Sequence, residues 1–254
     1  MRERPERFGD LVHPDVLVGN SDLKALIPKG GVKKDVLERG QLKAWFRGVQ
    51  AQPNRVTSTY LQCLLLIGCR RRELSALKWR DVDFHWRVIW FRHTKTEQEH
   101  GRKVPLTAFV KHLLKQLPQG KDDAFVFATD SQAGYLQEPT PAHRKACATA
   151  GLPPISLHGL RRSFGQLSEW CELPTGVVAE IQGHRPSALI ERHYRSRPLD
   201  LLKIWHQKFE TWILKQAGIH FWGHRFKTSM IATLSALMAQ FNSATGQQKR
   251  NGQS

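Results

Sequence analysis

The stretch LHGLRRSFGQLSEWCELPTGVVAEIQGHRPSALIERHY, residues 157–194, decides how the rest of the chain is read. It reads as three helices, 157–170, 174–182 and 187–194, separated by short breaks. His158 and Arg161 stand three residues apart on the first, so they share a face and can converge on one small anionic group such as a phosphate. A Gly183-His184 pair follows the second helix. Tyr194 closes the third, set between Arg192-His193 and Arg195.

Upstream, the helical spacing of Leu42, Trp45, Phe46 and Val49 predicts a helix over 37–49 that stops at Gln52-Pro53-Asn54. A second, mostly buried helix is predicted over 57–68, ending in a turn at Gly68. The segment CRRRELSALKWRDVDF follows, with a short helix expected over 72–79 and extended chain over 81–84. The β-prone run 88–91 and the run 102–106 flank the polar tip His93-Thr94-Lys95-Thr96, which predicts a small antiparallel sheet with a lysine near its turn. Thr107 is placed to cap a helix running to Leu117. A short extended piece is read at 124–127 and a basic helix at 141–150. Pro198 opens a long helix to about Ala217, with Leu201, Leu202, Trp205, Phe209, Trp212 and Ile213 as its apolar stripe.

These elements give a mainly α chain with a small antiparallel β-sheet, an α+β class. Residues 1–35 read as an N-terminal arm, 36–217 as the domain proper, and 218–254 as a C-terminal extension whose polar end is disordered. Lys and Arg number 39 against 22 acidic residues, a formal charge of +17, which calls for a polyanionic partner. Cys63, Cys69, Cys147 and Cys171 form no CxxC pair, so neither a zinc site nor a disulfide framework is expected. His220 and His224 lack accompanying carboxylates or thiols, and no metal or other cofactor is expected. No apolar run approaches the ~18 residues needed to span a bilayer, so the expected location is the cytoplasm, in association with the nucleoid.

A metal-free enzyme acting on a phosphodiester needs rigid cationic donors for the non-bridging oxygens, a nucleophile, and a group to protonate the leaving oxygen. Arginine's planar fork suits the first need. Tyrosine can be the nucleophile where positive surroundings or a base activate its phenol.

GCRRREL (68–74), FRHTKTEQEHGRKVPL (91–106), HGLRRSF (158–164) and the segment 183–194 resemble, in this order, the arginine motif, lysine hairpin, His-x-x-Arg box and final tyrosine box of the tyrosine recombinases, the phage-type integrases. The resemblance covers roughly 42–217 and implies their catalytic-domain fold. It implies that Arg70 and Arg161 clamp the phosphate and that Lys95 protonates the departing 5′ oxygen. His158 would take the tyrosine proton or orient the phosphate, His184 would bond a non-bridging oxygen, and Tyr194 would attack phosphorus. Glu73 either orients Arg70 from behind, as its family counterpart does, or pairs with a surface cation.

The family's function is site-specific DNA recombination through a 3′-phosphotyrosyl intermediate, on double-stranded DNA and as a homo-oligomer, a tetramer. Only about forty residues precede the first helix of the domain, too few for the family's additional N-terminal helical domain, so a truncated, non-catalytic DNA-binding remnant is the alternative expectation. A relaxing enzyme of the type IB topoisomerase kind or a basic RNA-binding protein fits the ordered boxes less well. The helix 198–217 could join subunits or serve the core; its stripe suits both.

Overall fold

A computed structural model of the chain describes residues 35–92, 101–184 and 197–221. Two compact units divide the chain, Met1–Lys34 and Asp35–Ser254, and all described residues belong to the second. A 3-10 turn, Arg39–Gln41, leads into α1 (Leu42–Gln50), and α2 follows (Arg55–Ile67). Asn54 starts α2 by accepting the Thr57 N–H on its side-chain oxygen, at 3.0 Å. From Thr57 to Ile67 every residue of α2 is buried, so this helix is the central post of the core. Trp45, Phe46 and Leu42 of α1 pack on one side of it.

The short helix α3 (Arg71–Ser75) and a 3-10 turn (Trp79–Asp81) stand where one helix over 72–79 was expected. The chain leaves the helix early because Leu77 is drawn into an extended pairing, accepting from the Val126 N–H at 2.8 Å. Strands β1 (Val82–Asp83), β2 (Val88–Phe91) and β3 (Arg102–Pro105) form an antiparallel sheet in that order. Its register sets Ile89 opposite Val104, Trp90 opposite Lys103 and Phe91 opposite Arg102. Ile89 and Phe91 face the core with Val104, and the alternation turns Arg102 inward with them.

Helices α4 (Ala108–Lys115), α5 (Thr140–Thr149), α6 (Leu157–Glu169), α7 (Thr175–Gln182) and α8 (Leu199–Ala217) complete the fold. The extended piece expected at 124–127 forms isolated bridges, Lys78 to Phe125 and Ala128 to Tyr135, rather than a strand of the sheet. Thr107 stands at the N-cap of α4, but its hydroxyl makes no capping bond. It donates instead to the buried Glu210 of α8, whose carboxylate also accepts the Phe109 and Val110 N–H groups at 2.8 and 3.1 Å. A carboxylate on another helix therefore caps α4 and also answers its dipole.

The inward stripe of α8 differs from the one read in the sequence. Leu202, His206, Phe209, Glu210, Ile213, Leu214 and Ala217 are buried, whereas Leu201 is exposed and Trp205 and Trp212 are half-buried. Two polar residues take core positions because partners are built for them: His206 bonds the Leu66 carbonyl and Glu210 caps α4. All four cysteines are free and buried. Among the described residues, no helix is long and apolar enough to cross a membrane, and no group of three or more metal-ligating side chains comes together.

Candidate active site

Gly68 ends α2 in the left-handed region, at φ 66°, and a Cβ there would lie 2.5 Å from the Phe164 ring. Glycine permits both the turn and the close approach of α6. The turn delivers Arg70 to the N-terminus of α3, where its backbone N–H donates to Glu73 Oε2 at 3.0 Å and its Nη1 donates to Glu73 Oε1 at 2.7 Å. Glu73 is buried, and Arg102 Nη2 also donates to its Oε2, at 2.6 Å. Burial pushes the Glu73 carboxyl upward, but the Arg102 charge and the bonds from Arg70 and Arg102 outweigh it and hold the group below the ordinary glutamate value. Glu73 thus sits behind Arg70 as a buried carboxylate shared by two guanidinium groups. It does not pair with a surface cation.

The end of α7 is where the pieces meet. Arg102 Nη1 donates to the Ile181 carbonyl at 2.5 Å, Arg161 Nη1 to Gln182 at 2.6 Å, and Arg70 Nη2 to Gly183 at 3.1 Å. The last carbonyls of a helix have no partner within it, and they form its negative end, so three cations are well placed there. Arg161 Nη1 also donates to the Gly68 carbonyl at 2.8 Å, and Gln182 Nε2 returns a bond to the Arg161 carbonyl at 2.7 Å. Gly183 turns the chain at φ 73°, and His184 follows, its N–H bonded to Ala179 O at 2.8 Å.

His158 and Arg161 share α6, as the three-residue spacing implied, but they lie at different depths. Arg161 is buried, while His158 is exposed in the first turn. Burial, then the neighbouring Arg70 charge, lowers the Arg161 guanidinium to about 10, still cationic at neutral pH. His158 is held below the ordinary histidine value by partial burial and by Arg162 and Arg161, with Asp35 opposing. His184 is lowered by partial burial and then by Arg161, Arg70, Arg102 and His158. Both histidines therefore feel the same cationic cluster, which disfavours their protonation. Cys69, next to Arg70, is raised to about 12 by burial and by Glu73 and is no nucleophile.

The N-terminal turn of α6 is fixed from outside the helix. The Ser156 hydroxyl accepts from the Gly159 N–H at 3.0 Å, Asp35 Oδ2 accepts from the Ser156 N–H at 2.8 Å, and Asp35 Oδ1 pairs with Arg162. Lys95 and Tyr194, expected as general acid and nucleophile, lie outside the described residues. The segment containing Tyr194 leaves α7 at His184 and is met again at Arg197, whose Nη1 pairs with Glu180 of α7 at 3.3 Å. Arg102, Asp35 and Gln182 were missed in the sequence. Only Arg102 carried a signal, the two-residue alternation that puts it on the face of Val104.

The model of the phage integrase family matches residues 36–198. The chain belongs to the phage integrase family. Over 212 residues it is 48% identical to the prophage integrase IntF of Escherichia coli strain K12, an alignment covering 81% of this chain and 45% of that protein. This family member thus spans less than half the length of the curated relative it matches. Its fold is that of solved integrases. The integrase from mycobacterium phage Brujita superposes with a TM-score of 0.56 at 18% identity, covering 76% of this chain and 67% of that one. The Tn1549 transposon integrase (aa 82-397), in complex with circular intermediate DNA, gives 0.53 at 17% identity, covering 76% and 70%. The mainly helical architecture with a small antiparallel sheet, expected from the sequence, is the architecture found.

Proposed function

We propose that this chain is a site-specific DNA recombinase that cuts and rejoins strands through Tyr194. The observation that carries the reading is the cationic cluster at the end of α7, where Arg70 and Arg161 are fixed by main-chain carbonyls and depress the protonation of His158 and His184. A guanidinium has five N–H donors, and the protein bonds named above use two on Arg70 and two on Arg161, which leaves three on each for phosphate oxygens. Donors fixed before the substrate arrives need not reorganise as charge builds on phosphorus.

In this reading the Tyr194 phenol oxygen attacks phosphorus and gives its proton to His158. The bond from phosphorus to the 5′ oxygen breaks, and Lys95 protonates that oxygen as it departs. His184 donates its ring N–H to a non-bridging oxygen. The 3′-phosphotyrosyl link keeps the energy of the diester, so a second strand's 5′ hydroxyl reverses the step without a nucleotide cofactor. Double-stranded DNA as partner fits the charge of +17 and the DNA complex of the Tn1549 integrase. Assembly as a tetramer on DNA, the domain limits 36–217 and location at the nucleoid belong to the same proposal.

The test is covalent capture. The chain is incubated in EDTA with a pool of nicked duplexes carrying random flanks, and denaturing gels are read for a protein–DNA adduct. An adduct formed by the wild type and lost in Tyr194→Phe is expected. Retention of DNA at low salt with no adduct on any sequence would refute the enzyme and leave the DNA-binding remnant.

A further inference from the structure

Of the three arginines on the end of α7, Arg102 is the one for which the recombinase reading has no task. Its side chain is 7% exposed, its Nη1 and Nη2 are committed to the Ile181 carbonyl and the Glu73 carboxylate, and no box of the family claims it. Yet it ties as many elements together as Arg161 does. From the first position of β3 it reaches Glu73 on α3 at 2.6 Å and Ile181 on α7 at 2.5 Å, with its guanidinium carbon 4.7 Å from the centre of the Phe91 ring. Its Nε is buried without an acceptor and lies 2.5 Å from where a Cβ would stand on Gly183.

Stability alone gives little reason for this arrangement. A buried ion pair often yields nothing over well-packed apolar groups of the same volume, and a buried N–H without a partner makes the balance worse. What an apolar side chain could not do is fix three things at once. These are the orientation of the Glu73 carboxylate, which in turn holds Arg70; the last turn of α7, two residues before His184; and the start of β3, separated by one residue from the segment 93–100 that contains Lys95.

We propose that Arg102 is a positioning residue for strand cleavage, tying α3, α7 and the strand that leaves the lysine segment into one unit around the phosphate. This rests on the recombinase reading above. Arg102 does not touch DNA. It acts through Glu73 on Arg70 and through Ile181 on His184, so it affects the cleavage rate and leaves affinity alone.

The experiment uses the duplex that the wild type itself selects by covalent capture. Affinity is read by fluorescence anisotropy, single-turnover adduct formation on gels, and folding by thermal unfolding, for the wild type, Arg102→Met, Arg102→Lys, Glu73→Gln and the double variant Arg102→Met/Glu73→Gln. Arg102→Met is expected to bind within twofold of the wild type and to cleave about 10- to 100-fold more slowly, the scale on which partners that orient contacting groups act. Arg102→Lys, which keeps the charge and stem and loses the fork, recovers part of the rate. The double variant is no slower than the slower single variant, because both changes break one linkage. Equal cleavage by the wild type and a folded Arg102→Met overturns the proposal while leaving the recombinase reading intact. So do losses in the two single variants that multiply in the double. A wild type that forms no adduct on any duplex overturns the recombinase reading and this proposal together.

Discussion

Replacing Glu210 with alanine removes the cap that α8 supplies to α4. The carboxylate is fully buried and accepts the Phe109 N–H at 2.8 Å, the Val110 N–H at 3.1 Å, the Thr107 hydroxyl, and a Gln207 side-chain N–H at 2.9 Å. Alanine leaves two helix N-terminal N–H groups and a hydroxyl in the core without acceptors, each costing about 1–3 kcal/mol when unsatisfied. Against this stands the recovered cost of keeping a carboxylate out of water, an effective several kcal/mol. The net loss expected for Glu210→Ala is about 3 kcal/mol, a large part of the ~5–15 kcal/mol of a typical domain. Glu210→Gln keeps one acceptor oxygen but presents an NH2 group to donors, and should lose about half as much. Urea unfolding followed by circular dichroism measures both, with the midpoint shifting at a constant slope. A Glu210→Ala chain within 1 kcal/mol of the wild type would refute the account of α4's cap.

Two further outcomes follow from His143 and Gly183. His143 is buried against the Trp45 indole, which donates to its Nε2 at 2.9 Å, and burial lowers its value from 6.5 to about 4. Between those two pH values the unfolded chain takes up a proton on this ring that the folded chain refuses. Stability therefore falls as pH drops through that window, by roughly 3 kcal/mol from this group, and levels off below it. Unfolding measured across pH should show this slope reduced in His143→Gln; an unchanged slope would contradict the assignment. Gly183→Ala must bear a left-handed φ and push Arg102 aside, for a loss of about 1–3 kcal/mol from the backbone conformation alone. Its adduct formation on the captured duplex should fall together with its midpoint, and full activity would show that the end of α7 tolerates movement.

The residues that made the site legible are those whose spacing is local. His158 and Arg161 lie one turn apart, Glu73 lies three residues from Arg70, and Gly183-His184 closes a short apolar helix, so each pairing is visible within a few positions of the chain. What stayed hidden depends on partners far away in sequence. Glu210 and His206 occupy the buried face of α8 because Phe109 and Leu66, 101 and 140 residues upstream, supply groups to meet them, and a hydropathy pattern counts both as surface residues. The same blindness rotated the apolar stripe of α8 toward Leu201 and Trp205. Arg102 was read only as the first residue of a short strand, although Val104, two residues on, already marked its face as the inner one. The helix expected over 72–79 was cut short by the main-chain bond from Val126 to Leu77, which no local propensity announces.

Arg70, Arg102 and Arg161 hold α7 by its carbonyls, and a carbonyl is the same atom whatever residue bears it. The side chain at 181 can therefore drift under its own packing demands without loosening the clamp. Gln182, which returns a bond to the Arg161 carbonyl, and Gly183, which turns the chain against Arg102, are held to their residue types. The scaffold of the site is thus separated from the chemistry of the helix it holds, and that helix is free to diverge on its outer face while His184 keeps its place.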